Sequence, residues 1–218
     1  MLRLFKIGIL LLTWLNLSIC HAQTPNEQIN ILSDDFDKSP PFYHKIPERL
    51  LSTDTSPAFD EKGQKILLTG TVYKTDGKTP ASNIVLYYYQ TDPSGVYAIK
   101  EDEERNMPKN KLGQTHGYIR GWLRTDELGS YSIYTIKPGS YPSRDEPAHI
   151  HVTIKEEKIP EPYYIDDFVF DNDPLLTSEK RKRLKNRGGS GIIQFIRKDS
   201  IWVGTRDIIL GLNIPKYE

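Results

Sequence analysis

The sequence predicts an all-β fold, a β-sandwich with long loops and one short C-terminal helix. Three observations carry that expectation. Beyond Lys65 the chain is a succession of short runs rich in Val, Ile, Thr and Tyr, about eight of them at the spacing of a sandwich or barrel. Between the runs stand clusters of Gly, Pro, Asn and Asp, the residues that reverse a chain. Start and stop signals for a helix coincide in one segment.

In chain order, KILLTGTVY (Lys65–Tyr73) and SNIVLYYYQ (Ser82–Gln90) read as strands joined across KTDGKTPA, where Asp76-Gly77 is a strong turn signal. YIRGWLRTD and SYSIYTI follow, joined by ELG. HIHVTI, YYIDDFVF, GIIQFIR and IWVGTRDIIL complete the set. Within the tyrosine run, alternation puts Tyr87 and Tyr89 on one face and Tyr88 on the other. The helix is expected to start near Thr177 or Ser178, with Glu179 in its first turn, and to stop before Gly188-Gly189. Its basic text, EKRKRLKNR, reads as a solvated face, because acids elsewhere balance it.

The 218 residues suit one domain with a substantial core. With 29 basic and 29 acidic residues the formal charge is +0, so no global field recruits nucleic acid or an anionic membrane. Residues 1–22 read as a secretory signal peptide: Arg3 and Lys6, the apolar run Ile7 to Ile19, then Ala22 before a polar stretch. That run is too short to span a bilayer comfortably, so no stable membrane span is expected. An exported protein, periplasmic or secreted, is the expectation. A lipid anchor on Cys20 ranks second, since Ile19 is bulkier than the residue usual before a lipidated cysteine. Cleavage after Ala22 would remove the single cysteine, leaving His, Tyr, Asp and Glu as candidate metal ligands. Residues 23–62 read as an irregular arm over the domain, and residues 63–218 as the sandwich.

The chemistry is concentrated in EPAHIHVTI. On a strand, His149 and His151 point the same way and Ile150 the other, so two imidazoles can take neighbouring positions on one metal ion. Upstream, Tyr141 lies in TIKPGSYPSR, where Pro142 biases it toward an extended conformation. Tyr97 follows the Pro93-Ser94-Gly95 turn, also presented from a loop. With 13 tyrosines in the chain, neither stands out alone.

Taken together, GVY, RGWLRTDELGSYSIYTIKPGSYP and PAHIH resemble, in order and spacing, the motifs of the intradiol ring-cleavage dioxygenases. FVFDNDPLL is similar to a later family segment, and the resemblance spans Leu67 to Leu176. It implies a sandwich of the intradiol dioxygenase type with one non-haem Fe(III) ion held by Tyr97, Tyr141, His149 and His151. The implied substrates are an aromatic diol and O₂, and the product a cis,cis-muconate-type diacid. Tyr141 is the implied catalytic tyrosinate, released to accept a catechol proton. A homo-oligomer stays open.

Two positions depart from the family pattern. Glu146 stands where an arginine normally precedes Pro-Ala-His, and Asp167 where a glutamine is usual. Arg144, two residues earlier, is the candidate replacement for the arginine. Three readings follow: Arg144 substitutes, the two acids select a cationic catechol, or the site binds without efficient cleavage. Glu146 and Asp167 are therefore substrate-pocket candidates. His116 and His44 read as surface histidines. Two other functions compete: a cupin, for which the surrounding glycines are missing, and a non-catalytic transthyretin-like or carboxypeptidase-regulatory-like binding module, suggested by GTVYKTDGKTPASNIVLYY.

Overall fold

The structure, a computed structural model, describes residues 34–217 apart from residue 39. The expected leader, Cys20 and the first part of the arm lie outside the described residues. Among the described residues, no helix is long and apolar enough to cross a membrane.

Two mixed sheets pack face to face. The first runs β1 (Thr53–Thr55), β5 (Ser130–Ile136), β2 (Lys65–Tyr73), β11 (Ile201–Thr205) and β10 (Phe195–Lys198), with β12 (Ile208–Ile209) also on β2. The second runs β4 (Arg120–Arg124), β3 (Val85–Gln90), β6 (His149–Lys155), β8 (Phe168–Phe170) and β9 (Ile192–Ile193), with β7 (Tyr163–Tyr164) also on β6. Between them lies the main core, to which β2 gives Ile66, Leu68 and Val72, and β6 gives Ile150, Val152 and Ile154. The helix α1 (Ser178–Arg183) begins as expected, with Thr177 Oγ1 accepting from the Lys180 N–H, and it buries no residue.

Two expected hairpins are instead crossings between the sheets. Asp76 does close a turn, accepting from the Lys78 and Thr79 N–H groups at 2.9 and 2.8 Å. Yet β2 and β3 lie in different sheets, and the end of β2 pairs instead with the connecting segment, through an isolated bridge of Tyr73 with Pro80. β4 and β5 divide the same way. The reason is burial: every residue of β3 is buried, so the strand needs a layer on both faces and takes a central place in the second sheet. Turn chemistry specifies a reversal and leaves the pairing partner to the core. YYIDDFVF likewise breaks into β7 and β8, because buried Asp166 between them leaves the ladder to accept from the Asn186 N–H and from Arg187 Nε.

The segment preceding β2 carries one strand where the sequence suggests irregular chain. β1 pairs in parallel with β5. Asp54 pins it, accepting two bonds of 2.8 Å from Arg105 and one of 2.7 Å from the Tyr88 hydroxyl. Gly121 makes room, since a Cβ there would lie 2.0 Å from the Asp54 carboxylate. Short polar text such as TDT lacks an apolar alternation, so this pairing has no local signature.

The alternation in β6 positions the site. Ile150, Val152 and Ile154 are each about fully buried, worth roughly 5–9 kcal/mol together at 1.5–3 kcal/mol per side chain. A one-residue slip would forfeit that burial and drive two imidazoles into the core. His149 and His151 are therefore held on the outer face of the second sheet. Tyr87 and Tyr89 share that face, with Phe42 and Trp122, while Tyr88 points into the main core as alternation requires.

Candidate metal centre

Two loops bring the tyrosines to the histidine strand. In the first, Asp92 Oδ1 accepts from the Ser94 and Val96 N–H groups at 2.8 and 3.1 Å, curling the chain so that Tyr97 turns back over the sheet. The second, carrying Tyr141, docks directly on it. The Gly139 N–H donates to the Asp92 carbonyl at 2.8 Å, and the Thr91 hydroxyl donates to the Gly139 carbonyl at 2.8 Å. Both glycines serve this approach: a Cβ on Gly95 would lie 1.9 Å from the Ser140 carbonyl oxygen, and one on Gly139 would lie 2.4 Å from that of Pro93.

The four side chains converge. Tyr97 Oη lies 2.5 Å from Tyr141 Oη and 2.9 Å from His151 Nε2. Tyr141 Oη is 3.3 Å from His151 Nε2, and the two histidine Nε2 atoms are 3.1 Å apart. Metal–ligand bonds of about 2 Å give tetrahedral edges of about 3.3 Å, so the spacing suits one first-row transition ion.

Proton positions sharpen this. His149 Nδ1 lies 2.7 Å from the Pro147 carbonyl, which can only accept, so the ring proton sits on Nδ1. His151 Nδ1 lies 2.9 Å from the Asp167 carboxylate, which fixes the same tautomer. Two nitrogen lone pairs thus face each other at 3.1 Å, an arrangement that is repulsive without a cation between them. Burial is the main cause pushing both phenols up in pKa. Tyr97 is carried far above its ordinary range, with Tyr141 adding to the effect. For Tyr141, the Tyr97 hydrogen bond and Arg144 oppose the rise. The His149 imidazole is lowered, first by burial and then by His151, and so stays a neutral ligand. A hard cation would reverse the tyrosine shifts by favouring the phenolates.

The other expected residues divide. Arg144 is exposed and stacks over the Tyr141 ring, with its guanidinium carbon 5.3 Å from the ring centre. Glu146 is exposed at the rim of the cleft. Asp167 lines the cleft, with its carboxylate bonded to His151. His149, His151 and Asp167 form an alternative three-residue metal group. Asp167 reaches the Nδ1 edge of His151, while Nε2 faces the tyrosines, so its oxygen supports the ring from behind. Although burial acts to raise the Asp167 pKa, His151 holds it below its usual value.

Both histidines expected at the surface are buried. His116 lines the cleft, stacks on Tyr89 with ring centres 3.4 Å apart, and places Nδ1 2.8 Å from the Tyr87 hydroxyl. His44 belongs to the arm itself and is buried where the arm packs on the domain, with its carbonyl accepting from buried Arg120. Nothing local marks either, because each is covered by chain distant in sequence. The cleft itself encloses about 1000 Å³. Its outer rim includes Lys180, Arg183 and Lys185 from α1 and the chain just after it.

Residues 38–187 match the family model described as Dioxygenase. The chain is 32% identical over 124 residues to the protocatechuate 3,4-dioxygenase beta chain of Burkholderia cepacia, covering 52% of this chain and 48% of that one. It therefore spans about half the length of that curated relative. Among solved structures it is similar to the dioxygenase domain of a dioxygenase carbohydrate-binding protein fusion from Streptomyces sp. SirexAA-E (TM-score 0.54, 20% identity, 76% of this chain and 91% of that chain). It is also similar to hydroxyquinol 1,2-dioxygenase from Pseudomonas putida DLL-E4 (TM-score 0.53, 20% identity, 75% and 61%). At such identities these likenesses establish the fold. The family match over most of the chain, the sandwich and the curated relative agree, and the chain belongs to the intradiol ring-cleavage dioxygenase family.

Proposed function

We propose that this protein is a non-haem Fe(III) intradiol dioxygenase, acting on a catechol-type aromatic and O₂ to give a cis,cis-muconate-type diacid. The observation that carries the reading is the convergence of two imidazole Nε2 atoms 3.1 Å apart and two phenol oxygens 2.5 Å apart. Two anionic oxygens and two neutral nitrogens suit a hard trivalent ion better than a soft one. A non-catalytic binding module has no use for such a set.

Tyr97, Tyr141, His149 and His151 would hold the iron. When bound, ferric iron supplies a Lewis acid and template that draws electron density from a chelated catecholate and opens the ring to O₂. Tyr141 is assigned the proton transfer. Of the two phenols it is the one whose rise in pKa is opposed, chiefly by the hydrogen bond from Tyr97 and least by Arg144, and it is therefore assigned to accept a catechol proton. Arg144 takes the part of the arginine missing at Glu146, giving a positive charge beside the negative charge that develops on substrate. Lining the wall beside Tyr97, His116 and Tyr89 are stacked rings against which an aromatic substrate can pack. The same proposal puts this activity outside the cytoplasm, a reading supported by the signal-peptide pattern of residues 1–22.

The test is iron loading of the purified protein, a visible spectrum, then catechol under air. A tyrosinate charge-transfer band, consumption of one O₂ per catechol and a ring-opened diacid are expected. A colourless protein that retains no iron would end the proposal.

A further inference from the structure

We infer that Asp167 is the positioning residue of His151, locking its ring and making it the stronger donor of the two imidazoles, and that it does not select the charge of the substrate. The inference rests on the proposed reading that His151 is a metal ligand.

The two histidines are supported differently. Behind His149 stands a neutral acceptor, the Pro147 carbonyl at 2.7 Å. Behind His151 stands a carboxylate at 2.9 Å. A carboxylate is a stronger acceptor than a carbonyl because of its charge, even at the slightly longer distance, and it leaves the ring it supports more electron-rich. His151 therefore pushes more electron density through Nε2 than His149 does, and a bound ion becomes less electron-poor.

Asp167 is itself held firmly. It sits in the break between β7 and β8, where Asp166 is tied to Arg187 Nε at 2.9 Å and to the Asn186 N–H at 2.6 Å. Gly191 presses on its backbone so closely that a Cβ there would lie 2.2 Å from the Asp167 carbonyl oxygen. The Val169 N–H donates to the Gly191 carbonyl at 2.9 Å and closes the same corner. Tyr89, the cross-strand partner of His151, stacks on the His151 ring with centres 4.5 Å apart. The ring is thus fixed in its plane by Asp167 and on its face by Tyr89.

Asp167→Asn and Asp167→Ala test the inference in two ways. Without metal, nitrogen NMR of the full chain should show His151 as the Nδ1–H tautomer in the wild type and a mixture of tautomers in Asp167→Ala. With Fe(III), Asp167→Asn should shift the tyrosinate charge-transfer band to lower energy, because the ion is more electron-poor. It should also weaken iron retention by about 10–100-fold. The ratio of KM values for amine-bearing and carboxylate-bearing catechols should stay within about 2-fold of wild type. Unchanged tautomer, band and iron retention, with a KM ratio moved toward anionic catechols, would overturn the inference. A wild type that fixes the His151 tautomer through Asp167 yet takes up no iron overturns the ligand reading instead and leaves the positioning contact standing.

Discussion

Gly95 and Ser140 approach each other so closely that a Cβ on the glycine would lie 1.9 Å from the serine carbonyl oxygen. Their contact is where the Tyr97 loop meets the Tyr141 loop, and it sets the 2.5 Å separation of the two phenol oxygens. Gly95 also has φ +85, a conformation costly for any residue with a side chain. Gly95→Ala should therefore part the loops while leaving the sandwich folded. The expected outcome is unchanged far-UV circular dichroism with a loss of iron content and visible colour of tenfold or more. Retention of colour would show that the loops can separate without disturbing the ligands.

Tyr141→Phe removes the proposed base while leaving the packing of the ring. General-base loss costs about 10²–10⁴ in rate. The variant should still bind some iron through Tyr97, His149 and His151, with the charge-transfer band shifted and reduced. Its kcat should fall at least about 100-fold. Rapid-mixing spectroscopy with catechol under air separates this from a simple loss of metal, because iron content is measured on the same sample.

His44 should make the fold acid-sensitive. Burial, followed by Arg120 and Lys45, lowers its pKa from 6.5 to about 4, and neither ring nitrogen has a partner. In the fold the ring stays neutral down to about pH 4, whereas the unfolded chain protonates below about 6.5. The unfolded state binds the extra proton, so stability is intact above pH 6.5 and falls as pH drops toward 4. The loss is roughly 3 kcal/mol at most. Urea unfolding at a series of pH values should show that decline, and His44→Leu should flatten it.

Much of the fold was legible because its signals are local. The bounds of β2 and β5 coincide with the apolar runs, and the Thr177 cap falls where the helix signal stood. Face assignment in β3 and β6 followed from alternation, which put Ile150 and Tyr88 in the core and left His149, His151, Tyr87 and Tyr89 together outside it. What escaped was pairing at a distance. The sheet crossing after β2, the pinning of β1 by Asp54 and the burial of His44 and His116 all depend on chain far away in sequence. At the site, the same limit hid the role of Asp167. Its text, IDDF, shows two acids, and only the fold reveals that Asp166 meets Arg187 while Asp167 meets His151.

Substrate charge supplies the last test. The two acids at Glu146 and Asp167 suggested selection of a cationic catechol, but the structure gives neither a free hand in it. Asp167 is engaged with His151, and Glu146 is exposed, where water and salt screen it. Along the same cleft lie Lys109, Arg144, Arg183 and Lys185 against Asp37 and Glu146, all exposed, so the field at the mouth is positive on balance. A carboxylate-bearing catechol should therefore show a lower KM than an amine-bearing one of the same size. The advantage should shrink as ionic strength rises from about 0.01 M to 0.5 M, where the screening length falls from about 30 Å to well under 10 Å. Arg183→Glu with Lys185→Glu should remove most of it by raising KM while sparing kcat, since neither residue reaches the four converging donors. Glu146→Gln should change KM for either substrate by less than about 2-fold. A strong preference for the amine-bearing catechol that Glu146→Gln abolishes would show that the glutamate turns inward when substrate binds.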